Sequence, residues 1–223
     1  MDYLNFNAWN KTRKFFVFST WLMSSMYALG QTVAINPIKM NVLYIGVDNP
    51  VSITASAGGG DKIAVSVSGG DPTVSNSGSG FYNIRVSSVT DECWIKVLVN
   101  GKWVGSSSFR VRNLPIPMAT IGRFSSGDKI DSDTFKSLSG VSANINDFPF
   151  QVEYEVIGFT FSLSNQNCIT KLADCQGALF SEQAKEHIAH FLTKGTTVTI
   201  TNIIVKDPSG KVLKVPSLIY YID

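Results

Sequence analysis

Period-two alternation of apolar and polar residues runs through much of this chain from Thr32 onward. Val51, Ile53 and Ala55 alternate, then Ile63, Val65 and Val67, each set bounded by clusters of Gly, Asp and Ser. Such punctuated alternation predicts short strands with one face against a core. Cys93, Ile95, Val97 and Val99 alternate again and run into Asn100-Gly101. Asn-Gly predicts a two-residue hairpin turn, because both positions need positive φ. Phe109 and Val111 supply the returning strand beyond Trp103. About seven strands in about 80 residues fit an immunoglobulin-like β-sandwich over residues 31–113. The cysteine pair of antibody domains is absent, so the likeness is one of architecture.

Two breaks in the pattern carry geometry. Asp48-Asn49-Pro50 separates two strands: Asn49 precedes a proline and is pushed extended, and the Asp48 carboxylate is expected to fold back onto main-chain N–H groups. Further on, Asn113-Leu114-Pro115-Ile116-Pro117 interrupts the alternation. Pro115 and Pro117 hold the chain extended and supply no ladder donors, so residues 114–117 read as a stiff joint.

Residues 118–223 read as a second module, β-rich with one packed helix, which makes the chain mainly β with an α+β second half. The module opens with Ile121 and a Gly127-Asp128 turn. Phe148, Phe150, Val152, Tyr154 and Val156 alternate and predict a long strand that continues through Phe159, Phe161 and Leu163. Gly158 inside that run predicts a bulge or bend. A helix is expected at about 181–194, with Ser181 as N-cap, Glu182 and Glu186 toward its positive end, and Lys194-Gly195 closing it. Its buried stripe is Ala184, Ile188, Phe191 and Leu192. Val198/Ile200 and Ile203–Val205 then lead to a turn at Asp207-Pro208-Ser209-Gly210. The chain returns through Val212 and Val215 to a last strand, Leu218–Ile222.

Charge changes meaning with position. The formal net charge is +2, but Lys11, Arg13 and Lys14 stand directly before an apolar run from Phe15 to Leu29 that ends in Ala28-Leu29-Gly30. A basic stretch, an apolar core and a small-residue end make residues 1–30 a secretory signal peptide by pattern. The run is short for a spanning helix and carries Ser19, Thr20, Ser24 and Ser25, so no membrane span is expected after cleavage. Cleavage leaves a formally neutral chain, which offers no electrostatic reason to expect nucleic acid or an anionic membrane as partner.

Candidate chemistry is sparse. Cys168 and Cys175 flank a short polar segment and could close a small disulfide loop in an oxidising compartment; the alternatives are free thiols or a bridge to Cys93. His187 and His190 are three apart on the expected helix, but only His187 borders the apolar stripe, and no carboxylate or thiolate is placed to complete a metal site. No Gly-x-Ser-x-Gly stands at a strand-to-helix turn, and Gly58-Gly59-Gly60 lacks the setting of a phosphate cradle. The expectation is therefore no catalytic residue, no metal and no cofactor. Trp94 is out of phase with Cys93, Ile95 and Val97, and its strand is read as buried on both faces. The other reading puts Trp94 and Trp103 outside as a platform for glycan or peptide.

A set of segments in fixed order now becomes informative: Ile45–Pro50, Phe109–Pro117, Phe148-Pro149-Phe150, Phe180–Gln183, Asp207–Gly210 and the terminal Ile219-Tyr220-Tyr221-Ile222. Together they resemble the C-terminal periplasmic half of the GldM/PorM gliding-motility and type IX secretion proteins, over about residues 35–223. The resemblance implies two periplasmic modules at the outer end of a dimeric shaft that reaches from an inner-membrane motor toward an outer-membrane ring. The partners it implies are envelope or outer-membrane secretion and gliding proteins, together with a second copy of the chain. In place of the family's motor helix this chain carries the signal-peptide pattern, so the motor role does not carry over. Location follows as the periplasm of a Gram-negative bacterium. The alternative is a secreted or surface adhesin that binds glycan.

Overall fold

A computed structural model of the chain describes residues 32–37, 41–55, 60–165 and 170–223. The expected signal peptide, residues 1–30, lies outside the described residues. In the first half the strands are β1 (Val33–Pro37), β2 (Val42–Tyr44), β3 (Asn49–Ala55), β4 (Ile63–Ser68), β5 (Thr73–Gly78), β6 (Phe81–Arg85), β7 (Thr90–Val99) and β8 (Lys102–Arg112). They form two four-stranded sheets, ordered β1-β3-β6-β5 and β2-β8-β7-β4. Consecutive strands alternate between the sheets at every step from β1 to β5 and change sheet again from β6 to β7, the topology of an immunoglobulin-like sandwich. The inward residues Val51, Ile53, Ile84, Cys93, Ile95, Val97, Phe109 and Val111 make its core.

The Asn100-Gly101 turn has φ of 51° and 80°, the two positive values its sequence requires. The β7 strand departs from expectation. It is buried on one face only: Cys93, Ile95, Val97 and Val99 face inward, while Trp94 is 39% and Trp103 66% exposed. The outward positions paired with Trp94 and Lys96 on the neighbouring strands are serines, and both indoles are left partly exposed among the described residues.

The second half comprises β9 (Met118–Thr120), β10 (Lys129–Ile130), α1 (Ser132–Lys136), β11 (Ser142–Asn144), β12 (Glu155–Ser164), β13 (Thr170–Gln176), α2 (Glu182–Phe191), β14 (Thr197–Lys206), β15 (Val212–Lys214) and β16 (Leu218–Ile222). One sheet runs β10-β16-β14-β12-β13 with β15 added to β14, and β9 pairs with β11. Phe135 of α1, Ala184 and Ile188 of α2, and the inward residues Phe159, Phe161 and Tyr220 share one core. Burying each of these aromatic rings stabilises the fold by about 1.5–3 kcal/mol.

Local signals explain most of these elements. Ser181 caps α2 by accepting from Ala184 N at 3.3 Å. The register of β12 against β14 shifts on both sides of Gly158, where a Cβ would meet Cys175 O at 2.8 Å. On β14 the buried positions change phase between Ile200 and Ile203, and Asn202 absorbs the shift with φ of 51°.

Three expectations are corrected. Helix α2 ends at Phe191, not at 194, because Leu192 turns extended and is buried in the core. The Lys194 ammonium meets Asp223 at 2.9 Å instead of the helix end. A second helix is present: α1 is capped by Asp131, which accepts from Asp133 N and Thr134 N. A hydrogen bond from the Thr134 side chain, and then those from the Asp133 and Thr134 main chain, hold the Asp131 carboxyl below its ordinary pKa. Finally, residues 148–154 alternate without forming a strand, and the ladder begins at Glu155.

Candidate interaction site

Residues 148–154 find their use at the seam between the two halves. Tyr44, at the end of β2, packs edge-on against Phe148 and Phe150 with ring centroids at 5.0 and 5.5 Å. Val47 in the following turn and Leu114 in the proline joint are both buried in the second module's core. The first module therefore contributes to the core of the second. On the opposite flank, Gly46 (φ 85°) lies so close to the Ser209 turn that a Cβ would meet Ser209 N at 2.8 Å.

Hydrogen bonds within the first module fix the segment that carries Tyr44 and Val47 to the seam. Asn49 is 2% exposed. Its Oδ1 accepts from Tyr44 N at 2.7 Å, and its Nδ2 donates to Tyr44 O at 3.0 Å, Val47 O at 3.1 Å and Ile84 O at 2.9 Å. The amide thus stands in for a neighbouring strand and closes the crossing from β2 to β3. This work was expected of Asp48. The Asp48 carboxylate instead pairs with Arg85 on the surface, and that hydrogen bond, then the charge, favours the guanidinium cation. The joint is tied down by Tyr154, whose hydroxyl donates to Pro115 O at 2.8 Å. Burial first, and then the charge of Asp207, pushes the Tyr154 phenol up to about 12.

The turn at Asp207-Pro208-Ser209-Gly210 completes the seam. Asp207 Oδ1 accepts from Ser209 N, Ser209 Oγ and Lys211 N at 2.9, 2.6 and 2.9 Å. Gly210 takes a φ of 88° and donates to Asp207 O at 2.9 Å. An open cleft of about 420 Å³ runs between this turn and the β2–β3 turn, lined by Asp48, Pro50, Arg85, Gln151, Glu153 and Pro208. Its charged groups are two carboxylates and one guanidinium, with no thiol or imidazole among the lining residues.

The strand-joining turn falls at residues 45–47, with Asn49 and Pro50 already in β3, and residues read as separate turns converge. Asp48, Asn49, Pro50, Pro115, Asp207, Pro208 and Gly210 border one seam, and Pro117 is buried just beyond it. Asn100 and Gly101 stand apart at an exposed hairpin tip. The sequence reading missed Tyr44, Arg85 and Tyr154 as seam residues. A signal was present in Val47 and Leu114, apolar residues inside turn and proline segments where a solvated loop has no use for them.

The remaining sequence candidates lie elsewhere. Cys175 is a buried free thiol that accepts from Ser181 N at 3.4 Å; Cys168, its expected bridge partner, lies outside the described residues. Cys93 is also free, and burial raises its thiol pKa. His187 Nε2 lies 3.2 Å from Leu172 O and its ring packs edge-on to Phe191, whereas His190 is exposed. Among the described residues no cluster of His, Cys, Asp or Glu is placed to hold a metal. No described helix is long and apolar enough to cross a membrane.

Two family models match this chain in succession: the GldM third domain over residues 32–112 and the GldM C-terminal domain over residues 115–222. The gap between them falls in the proline joint. No match is found among curated protein sequences. Among solved structures, the fibronectin(III)-like modules of Clostridium thermocellum CbhA are 12% identical, covering 86% of this chain and 94% of that one, with a TM-score of 0.28. Domains 5-6 of the S-layer protein SbsC are 16% identical over 86% and 97%, with a TM-score of 0.29. The tandem Ig repeats of Dlar are 11% identical over 86% and 97%, with a TM-score of 0.26. Scores at this level carry no further argument.

Proposed function

The chain belongs to the GldM family, a component of the gliding-motility and type IX secretion apparatus, and on that premise we propose that its two modules act in the periplasm as a non-catalytic interaction element. Its partners in this reading are envelope or outer-membrane proteins of the same apparatus. The observation that carries the proposal is the seam: Val47 and Leu114 of the first module and the joint are buried in the core of the second. Two modules held in this way present one continuous surface at a fixed angle, which suits an element that transmits position or force. A flexible tether would present two independent ones. Export rests on the basic, apolar and small-residue pattern of residues 1–30.

Homodimerisation is part of the same reading. Strands β4 and β5 are edges of their sheets, and an unpaired edge is a physical route to strand addition. Light scattering on the exported chain decides that point.

The test of the main proposal is capture from envelope extracts with the chain immobilised. Recovery of an outer-membrane or secretion component, reduced by a substitution in the cleft such as Arg85→Glu, is the expected result. Repeated capture of no such component counts against the proposal.

A further inference from the structure

We propose that the outward face of the β4-β7-β8 sheet binds an acidic polysaccharide chain, a role separate from the protein partner proposed above. The register lays the face out in rows. Trp94 lies between Ser68 of β4 and Ser108 of β8, and Lys96 lies between Ser66 and Ser106. Leu98 pairs with Trp103 in the next row. Four residues of extended chain put the two indoles roughly 13 Å apart along the strands, the scale of a short oligosaccharide.

Each feature of this face matches one property of such a polymer. A pyranose ring presents C–H bonds on its faces, and these stack on the negative face of an indole. Both indoles are free to take that contact, being 39% and 66% exposed with serines beside Trp94. The serine hydroxyls can donate to and accept from sugar hydroxyls between the two stacking points. Lys96 stands midway, and among the described residues it forms no ion pair. The three rows contain no carboxylate. An unpaired ammonium at the centre of a hydroxyl-lined strip complements an acidic sugar. A protein partner would call for a more apolar centre than four serines and a lysine supply.

Affinity electrophoresis of the full chain tests this, in gels containing polygalacturonate, a neutral β-glucan or no polymer. Retardation by polygalacturonate alone is expected, weakening with salt as exposed charge attraction does. Trp94→Ala and Trp103→Ala should each weaken retention by roughly fivefold to tenfold, Trp94→Phe should retain most of it, and Lys96→Gln should lower it while Lys96→Arg preserves it. All these positions are exposed, and unchanged near-ultraviolet circular dichroism outside the indole bands confirms the fold of each variant. Equal mobility in all three gels overturns the proposal, as does retention that survives both alanine variants. Equal retention by the neutral glucan overturns the acidic class. Loss of envelope-protein capture in Trp94→Ala without any polymer retention reassigns the face to a protein and also overturns it.

Discussion

The turn around Asn49 and the hairpin at Asn100 are each held by one asparagine side chain, and the two differ in what surrounds it. Asn100 Oδ1 accepts from Lys62 N at 3.0 Å and Nδ2 donates to Asp61 at 2.6 Å, all at an exposed tip. Asn49 makes the same kind of bonds next to the seam, to main-chain groups of Tyr44, Val47 and Ile84, and is only 2% exposed. Water can replace the bonds at Asn100. At Asn49 nothing can, so truncation leaves a main-chain N–H and several carbonyls without partners. Identical chemistry is therefore expected to have unequal weight.

Asn49→Ala is the strongest way to break this comparison. It should cost roughly 2–4 kcal/mol in urea unfolding, and a cost near that of an exposed turn variant would mean that water enters the seam. Next comes Gly46→Ala. The added Cβ must occupy a left-handed backbone and press on the Ser209 main chain, so about 2 kcal/mol is expected, read by the same unfolding.

Tyr154→Phe sharpens the comparison from the joint side. Losing the bond to Pro115 O should cost about 1 kcal/mol. The phenol also gives a pH signature. Burial and Asp207 raise its folded pKa to about 12, above the ordinary 10.0, so folding favours the protonated form. That contribution is complete below pH 10 and is lost as pH rises from about 10 toward about 12. Ultraviolet titration should show late-ionising tyrosines, Tyr154 and Tyr220, and one of them should vanish in Tyr154→Phe. The smallest effect belongs to Asn100→Ala, roughly 0.5–1 kcal/mol for an exposed residue at positive φ, largely recovered by Asn100→Gly.

Local chemistry was readable wherever a residue acts on its own neighbours. Ser181 caps its helix, Asn100-Gly101 turns its hairpin, Gly158 marks its register shift and Leu218–Ile222 forms a strand, all as local residue chemistry requires. Readability failed where a tertiary contact decided the outcome. The alternation from Phe148 to Tyr154 looks like a strand, but Pro149 interrupts ladder donation, and Tyr44 draws both phenylalanines to the seam. Asp48 and Asn49 are both capable of turn bonding. Which one turns inward depends on Ile84 and Arg85 of β6, some 35 residues away. An apolar residue such as Trp94 on the second face of a strand suggests a covering layer, and among the described residues none covers that face. The seam itself was not legible, since its four segments meet only after both modules fold.

Calorimetric unfolding of the whole chain tests the joined modules most directly. If Val47, Leu114 and Tyr44 couple the two cores, the wild-type chain should unfold in a single transition with calorimetric and van't Hoff enthalpies nearly equal, and Tyr44→Ala should split it in two. Two resolved transitions in the wild-type chain, unmoved by Tyr44→Ala, would contradict a shared core and leave the modules as neighbours on a tether.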